Sequence, residues 1–285
     1  MRHHDLDKRK ESIGKLQSII SALRAMAALR VQRDQKPVAG TRHYQEIVAL
    51  TISRFIGHQE KISEKSFRDS KSLLIVFCSE YGFVGGFNRP LLEMARDKAS
   101  PARDIALIGS RGAMIAAEYG INPVWKLPMS SDKASVQKTV QQIARRLLQA
   151  VGEGVSSVKL IYMKQQGTSG VQISGAQIKY HPLFPVDREC FPESKKAESL
   201  PLLNMPSEQL LHYLTEEYLM ASLSCAVMES LHAENYSRLS AMDQAHQNIQ
   251  KKYEQLQQQS HQLWQEEITT ELLDIITGFV AQTKH

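Results

Sequence analysis

A chain of 285 residues, 42% hydrophobic and 23% charged, is long enough for one or two domains with a packed core and has the composition of a soluble globular protein. Its three cysteines, Cys78, Cys190 and Cys225, are widely spaced with no CxxC pair, which argues against a disulfide framework or a zinc site and for buried reduced thiols. The net charge of +5 is unevenly held: residues 1–60 carry eleven Lys and Arg against six Asp and Glu, and residues 207–285 carry four against eleven. The basic residues are dispersed and lack interleaved aromatic side chains, so a nucleic-acid platform is not indicated. The longest apolar run, residues 73–78, is far too short to span a bilayer, and the first six residues are polar rather than signal-like. A cytoplasmic protein is expected.

Residues 1–60 read as an N-terminal helix. Ile13, Leu16, Ile20, Leu23, Ala27 and Val31 follow the three-to-four spacing of a buried stripe. Pro37, soon followed by Gly40, predicts a kink or break.

Residues 71–185 follow another pattern. The run LLIVFC at 73–78 has the continuous apolarity of a strand covered on both faces, and a glycine turn at 82–88 leads into a helical stretch over 90–98. A second strand is expected over 104–109, a short helix over 112–119, an amphipathic helix over 131–151, and two β-rich runs over 157–164 and 171–181. Alternating βα units predict a small, largely parallel, Rossmann-like α/β domain. Prolines recur from Pro182 to Pro206, which predicts a loop there and a linker over 186–206.

Residues 207–285 contain no proline and one glycine, Gly278, and read as one helix. Unbroken, it would run roughly 100 Å, well beyond a small domain. Positions 219–231 are almost all apolar or small, as in a helix buried on several sides. Beyond them Met242, Ile249, Leu256 and Leu263 recur at sevens, with Ala245 and Tyr253 beside them, as in a coiled-coil seam amid a glutamine-rich surface. Apolarity returns at Leu272, Ile275, Ile276, Phe279 and Val280. Opposite charge on the two terminal segments, with Ala22, Ala25 and Ala28 permitting close approach, predicts a long antiparallel coiled coil of the N- and C-terminal helices. Leu23 is expected to lie level with residues 256–264, and Arg24 near Gln265.

Catalytic chemistry is hard to find. Gly82, Gly85, Gly86 and Asn88 match neither GxGxxG nor a phosphate loop, and no lysine followed by a hydroxyl residue stands ready for phosphate. They read as a structural turn with close helix packing. The ten histidines show no metal-ligand spacing, and Ser79 and Ser110 sit in no nucleophile elbow. No catalytic residue, metal, cofactor or direct small-molecule substrate is indicated.

Four segments carry a resemblance. SIGKLQSIISALRAMAA at 12–28 is similar to the first helix of the gamma subunit of rotary F-type ATP synthases, and GFVGGFN at 82–88 resembles that family's Gly-Leu-Cys-Gly-Gly-Leu-Asn turn. AENYSRLSAM at 233–242, with Ala245 and Asn248, is similar to its Ser-Glu-x-x-Ala-Arg-Met-x-Ala-Met segment. ITTELLDIITG at 268–278 resembles its C-terminal Ile-Thr-x-Glu-Ile-x-Glu-Ile-x-x-Gly. The resemblance implies a non-catalytic rotor shaft that couples ion flow to ATP synthesis or hydrolysis. Its partners would be a ring of alternating alpha and beta subunits, an epsilon subunit and the membrane ring of c subunits. Its place would be the cytoplasmic face of a bacterial inner membrane, as a peripheral component. The residues it assigns to the alpha/beta ring are Leu23, Arg24, Trp264, Gln265, Glu271, Ile275, Ile276 and Phe279.

The departures mark a divergent branch. Where the family has Asn-x-x-Arg-Gln, this chain has His261, Gln262, Leu263, Trp264 and Gln265, so an arginine becomes tryptophan. Family Met-Lys-Met becomes Leu23, Arg24 and Ala25, and Arg-Pro-Tyr becomes Arg42, His43 and Tyr44. Two other readings stand beside this one: an α/β enzyme with dimerising helical extensions, and a coiled-coil scaffold unconnected to ATP synthesis.

Overall fold

A computed structural model describes residues 3–56, 71–100, 102–165, 176–185 and 203–282, with side chains over 6–55 and 203–276 in the two terminal helices. Two helices frame the chain, α1 (His3–Ile56) and α5 (Ser207–Gln282). Between them lie β1 (Lys71–Phe77), α2 (Asn88–Asp97), β2 (Arg103–Ile108), α3 (Ser110–Ile115), a 3-10 turn (Ala116–Tyr119), β3 (Trp125–Leu127), α4 (Val136–Gly152), β4 (Val155–Gln165) and β5 (Ala176–Phe184). Contacts divide the chain into two compact units. One is Met1–Ala27 with Leu239–His285, and the other is Ala28–Arg238.

In the first unit α1 and α5 run antiparallel. Lys10 Nζ donates to Ser260 Oγ at 3.5 Å, Gln17 Nε2 to Gln250 Oε1 at 2.7 Å, and Arg24 pairs with Asp243. The heptad reading of α5 holds, with Met242 and Leu256 buried and Ile249 and Leu263 half-buried. That of α1 needs correction. Leu6 and Ala27 are buried and Ile13, Ile20 and Leu23 half-buried, but Leu16 is 50% exposed, and Ala22 and Ala25 face solvent. Gln17 and Ser21 take inner positions in their place, so the close approach is made by polar side chains that hydrogen-bond across the seam. The expected register is also corrected. Leu23 lies at the level of Asp243, and Trp264 lies past Ser260 toward the start of α1, so Arg24 is nowhere near Gln265 in height.

The second unit contains a five-stranded sheet in the order β3-β2-β1-β4-β5, parallel except for the antiparallel pair β4–β5. The apolar run of β1 explains its central place. Leu73, Ile75 and Phe77 enter the core on one face, with Val136, Val140 and Ile143 of α4, while Leu74, Val76 and Cys78 enter the other, with Leu91, Leu92 and Ala95 of α2. Side-chain alternation thus buries both faces, as a parallel sheet covered by helices requires. β3 is not evident in the sequence. Pro182, expected in a loop, lies in β5 opposite Lys159, and as an edge strand β5 tolerates a residue without an N–H. Residues 171–175 and 186–202 of the expected β run and linker lie outside the described residues.

No break occurs at Pro37, since α1 is helical on both sides of it. Proline removes one donor from the ladder, while Asp34 and Val38, both buried, hold the helix against its neighbours on either side of the missing bond. Residues 225–235 of α5 are buried without interruption. Leu223, Ala226, Val227, Met228 and Leu231 join the core on the α4 face and Ala233 joins that on the α2 face.

Candidate functional site

In a doubly wound sheet of this order, ligands bind at the carboxyl ends of the strands where the order reverses. Here that point lies between β1 and β4, beside the glycine turn that follows β1. The turn is tied down from within the chain. The Glu234 carboxylate of α5 accepts the backbone N–H of Glu80 at 3.1 Å and of Tyr81 at 3.5 Å, and pairs with Arg238. Arg238 Nε donates to the Gly82 carbonyl at 3.4 Å, and Ser237 Oγ to the Val84 carbonyl at 2.7 Å. Burial pushes the Glu234 carboxyl above its ordinary pKa, against the opposing pull of Arg238 and the two amides. Glu80 fills the adjoining position, its carboxylate accepting Ser110 N–H at 2.9 Å, Ser110 Oγ–H at 2.7 Å and Met129 N–H at 2.7 Å. The backbone N–H groups of Glu80, Tyr81, Ser110 and Met129 at this point are therefore engaged by the chain's own carboxylates.

Asn88, assigned to the turn from the sequence, is buried and reciprocally bonded. Its Oδ1 accepts Ser79 N–H at 2.8 Å and its Nδ2 donates to Ser79 Oγ at 2.8 Å. Replacing Asn88 with alanine leaves both groups of Ser79 unpaired in the core and should lower stability by about 2 kcal/mol, read from the denaturant midpoint. Unchanged stability would remove Asn88 as the pin of the turn.

The glycines divide differently from the expectation. Gly85 has φ +55, suiting the tight turn, but a side chain at Gly82 or Gly86 would meet open space. Close packing occurs instead at Gly109 and Gly112, whose added Cβ atoms would lie 2.3 Å from the Cys78 carbonyl oxygen and 2.1 Å from Cys78 Cβ. Nothing in the local sequence signals this, because it depends on how β1 lies against the start of α3. Phe83, beside Gly82, has φ +61 and is 70% exposed. Burial pushes the Cys78 and Cys225 thiols up to about 12, so neither is a nucleophile at neutral pH. Cys190 lies outside the described residues.

The residues assigned to a partner ring fall into two groups. Leu23 is half-buried in the seam, and Arg24 engages Asp243 within the chain. Trp264, Gln265, Glu271, Ile275 and Ile276 are all exposed, the tryptophan by 56% and Ile275 by 68%. The Phe279 side chain lies outside the described residues. Two further groups were missed. Leu16, Ile19 and Met26 form an outward apolar stripe on α1, and Ile268 extends toward the N-terminus of α5 the apolar stretch expected from Leu272 onward.

A family profile described as ATP synthase matches residues 2–281. The chain belongs to the gamma-subunit family of the ATP synthases. It is 26% identical to the ATP synthase gamma chain of Lachnoclostridium phytofermentans, over 96% of this chain and 97% of that one, and 26% identical to that of Fuscovulum blasticum over the same shares. Its fold is similar to that of a chain in the mitochondrial ATP synthase of Euglena gracilis, in an assembly of OSCP, F1 and c-ring, with a TM-score of 0.70, 14% identity, and 98% of this chain and 94% of that chain covered. Gamma subunits are non-catalytic parts of the central stalk, and this one serves as a rotary shaft in an F-type ATP synthase. That sets aside the α/β enzyme and the unrelated scaffold. No described helix is long and apolar enough to cross a membrane.

Proposed function

We propose that the outer faces of the α1–α5 pair in residues 1–27 and 239–285 bear on a ring of alternating alpha and beta subunits. The α/β domain and the adjoining helix ends meet an epsilon subunit and the membrane ring of c subunits, at the cytoplasmic face of a bacterial inner membrane. Ion flow turns the c-ring and this chain together. The observation that carries the reading is the outward apolar surface: Leu16, Ile19 and Met26 on one helix, Trp264, Ile268, Leu272, Ile275 and Ile276 on the other. Solvent-facing apolar stripes on a structured helix pair mark an interface. Apolar contact is non-directional, so such a surface can change partners as it turns without breaking fixed ion pairs. Coupling requires that each orientation favour a different state of each catalytic site, and about 1.4 kcal/mol of differential contact gives a tenfold bias.

Trp264 supports an apolar bearing. An indole offers a large face and one donor where the family's arginine offers charge and paired donors, so contact at this position depends little on salt. Arg24 contributes as the Arg24–Asp243 pair rather than as a free cation.

A rotation assay on the reconstituted complex tests this. The ring is fixed to a surface and a bead attached at a cysteine introduced at Met114, which is 71% exposed, in a chain carrying Cys190→Ser. ATP should drive stepwise turning in one direction, and a chain cut after Ile268 should stall at a smaller load. An attached bead that never turns would overturn the shaft reading, and equal stall loads would remove the terminal apolar residues from the bearing.

A further inference from the structure

We propose that the free edge of β3 and the flank of α4 form a docking groove for an extended acidic segment of a partner protein, taken up by strand addition. β3 ends the sheet and pairs with β2 alone among the described residues, so its outer edge has no strand against it there. Beside it lies an open groove of about 290 Å³ lined by Leu127 of β3 and by Gln142, Arg145, Arg146 and Gln149 of α4. Four cations stand on these two elements, Lys126, Lys138, Arg145 and Arg146, with no carboxylate in either. The nearest in sequence, Asp132 and Glu153, lie past the two ends of α4, and Asp132 is engaged by Ser135 N–H at 2.9 Å.

The opposite face of the sheet provides a contrast. Both arginines of that kind on α2 are paired with carboxylates of their own helix, Arg89 with Glu93 and Arg96 with Asp97. Arg145 and Arg146 are exposed and have no ion-pair partner among the described residues, and Arg146 donates to the Gln149 amide oxygen at 3.4 Å. The occupant follows from combining the two halves of the groove. A strand laid about 4.8 Å from β3 would pair its backbone with the edge and send alternate side chains toward α4, where carboxylates can meet guanidinium groups two bonds at a time. A lipid headgroup or a nucleic acid would meet the charge but leave the edge unpaired.

The test uses the full-length chain and a fluorescent peptide of alternating glutamate and valine, followed by anisotropy. Saturable binding should weaken with salt and fall about tenfold in the Arg145→Glu, Arg146→Glu double variant, while Arg89→Glu on α2 leaves it unchanged. Circular dichroism confirms that each variant keeps its helices. The same peptide N-methylated at alternate residues, on the side that would face β3, keeps its charge but cannot pair with the edge, and should not bind. Absence of saturable binding overturns the proposal, as does equal binding by the double variant or by the N-methylated peptide. Binding of anionic phosphatidylglycerol vesicles that displaces the peptide would overturn it in favour of a membrane contact.

Discussion

Replacing Arg42 with alanine should cost the chain about 3–5 kcal/mol, because it leaves the Glu229 carboxylate buried without its charge partner. The Glu229 side chain is 1% exposed, and Arg42 grips it with both Nε and Nη2, the latter at 2.6 Å, while Nη2 also donates to the Gln165 carbonyl at 3.3 Å. One ion pair therefore ties α1, α5 and the end of β4 together. Removing both partners has a different outcome. Arg42→Met with Glu229→Leu leaves no unpaired charge and should recover most of the loss. Denaturant midpoints of the two single variants and the double one decide the matter. A double variant as unstable as the sum of the singles would show that packing, not the unpaired charge, dominates.

Gly109→Ala should be comparably damaging, by about 3–5 kcal/mol, for two independent reasons. Its φ of +115° is one that L side chains rarely adopt, a strain of about 1–3 kcal/mol, and a Cβ there would stand 2.3 Å from the Cys78 carbonyl oxygen, which as backbone has little freedom to move. Gly120 provides the control. It is also left-handed, at φ +71, but its Cβ would meet open space, so Gly120→Ala should cost only about 1 kcal/mol. Thermal unfolding of the two variants separates conformational strain from collision. Similar losses at both sites would mean that the crowding against Cys78 relaxes.

The parts of the fold legible in the sequence are those where one physical signal dominates. β1 is a continuous apolar run because both of its faces are covered, and α5 shows its seam because heptad apolar residues stand out from glutamine. β3 has only Trp125, Lys126 and Leu127, too short for any period to register, and owes its existence to β2 beside it. The inner face of α1 was misread for a subtler reason. Gln17 and Ser21 occupy inward positions and bond across the seam, while Leu16, Ile19 and Met26 face out. Hydrophobic periodicity finds an apolar face but cannot tell which neighbour it is for, and on this helix part of the apolarity is directed away from its own partner. The register was misplaced by several turns because opposite segment charge and small residues favour an antiparallel pair without fixing which residues stand level. At the glycine turn, the motif drew attention to Gly82 and Gly86, whereas the tight contacts at Gly109 and Gly112 arise from chain segments about thirty residues away from Cys78.

The placement of α5 in the second unit has a mechanical consequence. Between Leu223 and Ala233 it supplies side chains to the cores on both faces of the sheet, and just beyond, Glu234, Ser237 and Arg238 grip the turn after β1. A round rod held only by a collar slips when twisted, since friction alone resists it. A rod whose teeth enter slots on two sides, as in a splined axle, cannot rotate in its housing without shearing them. Twisting this stretch of α5 about its own axis would drag buried leucines and valines through close-packed interior and pull a buried carboxylate from two amides. The sheet must follow the helix, and torque entering through either would leave through the other with little angular loss.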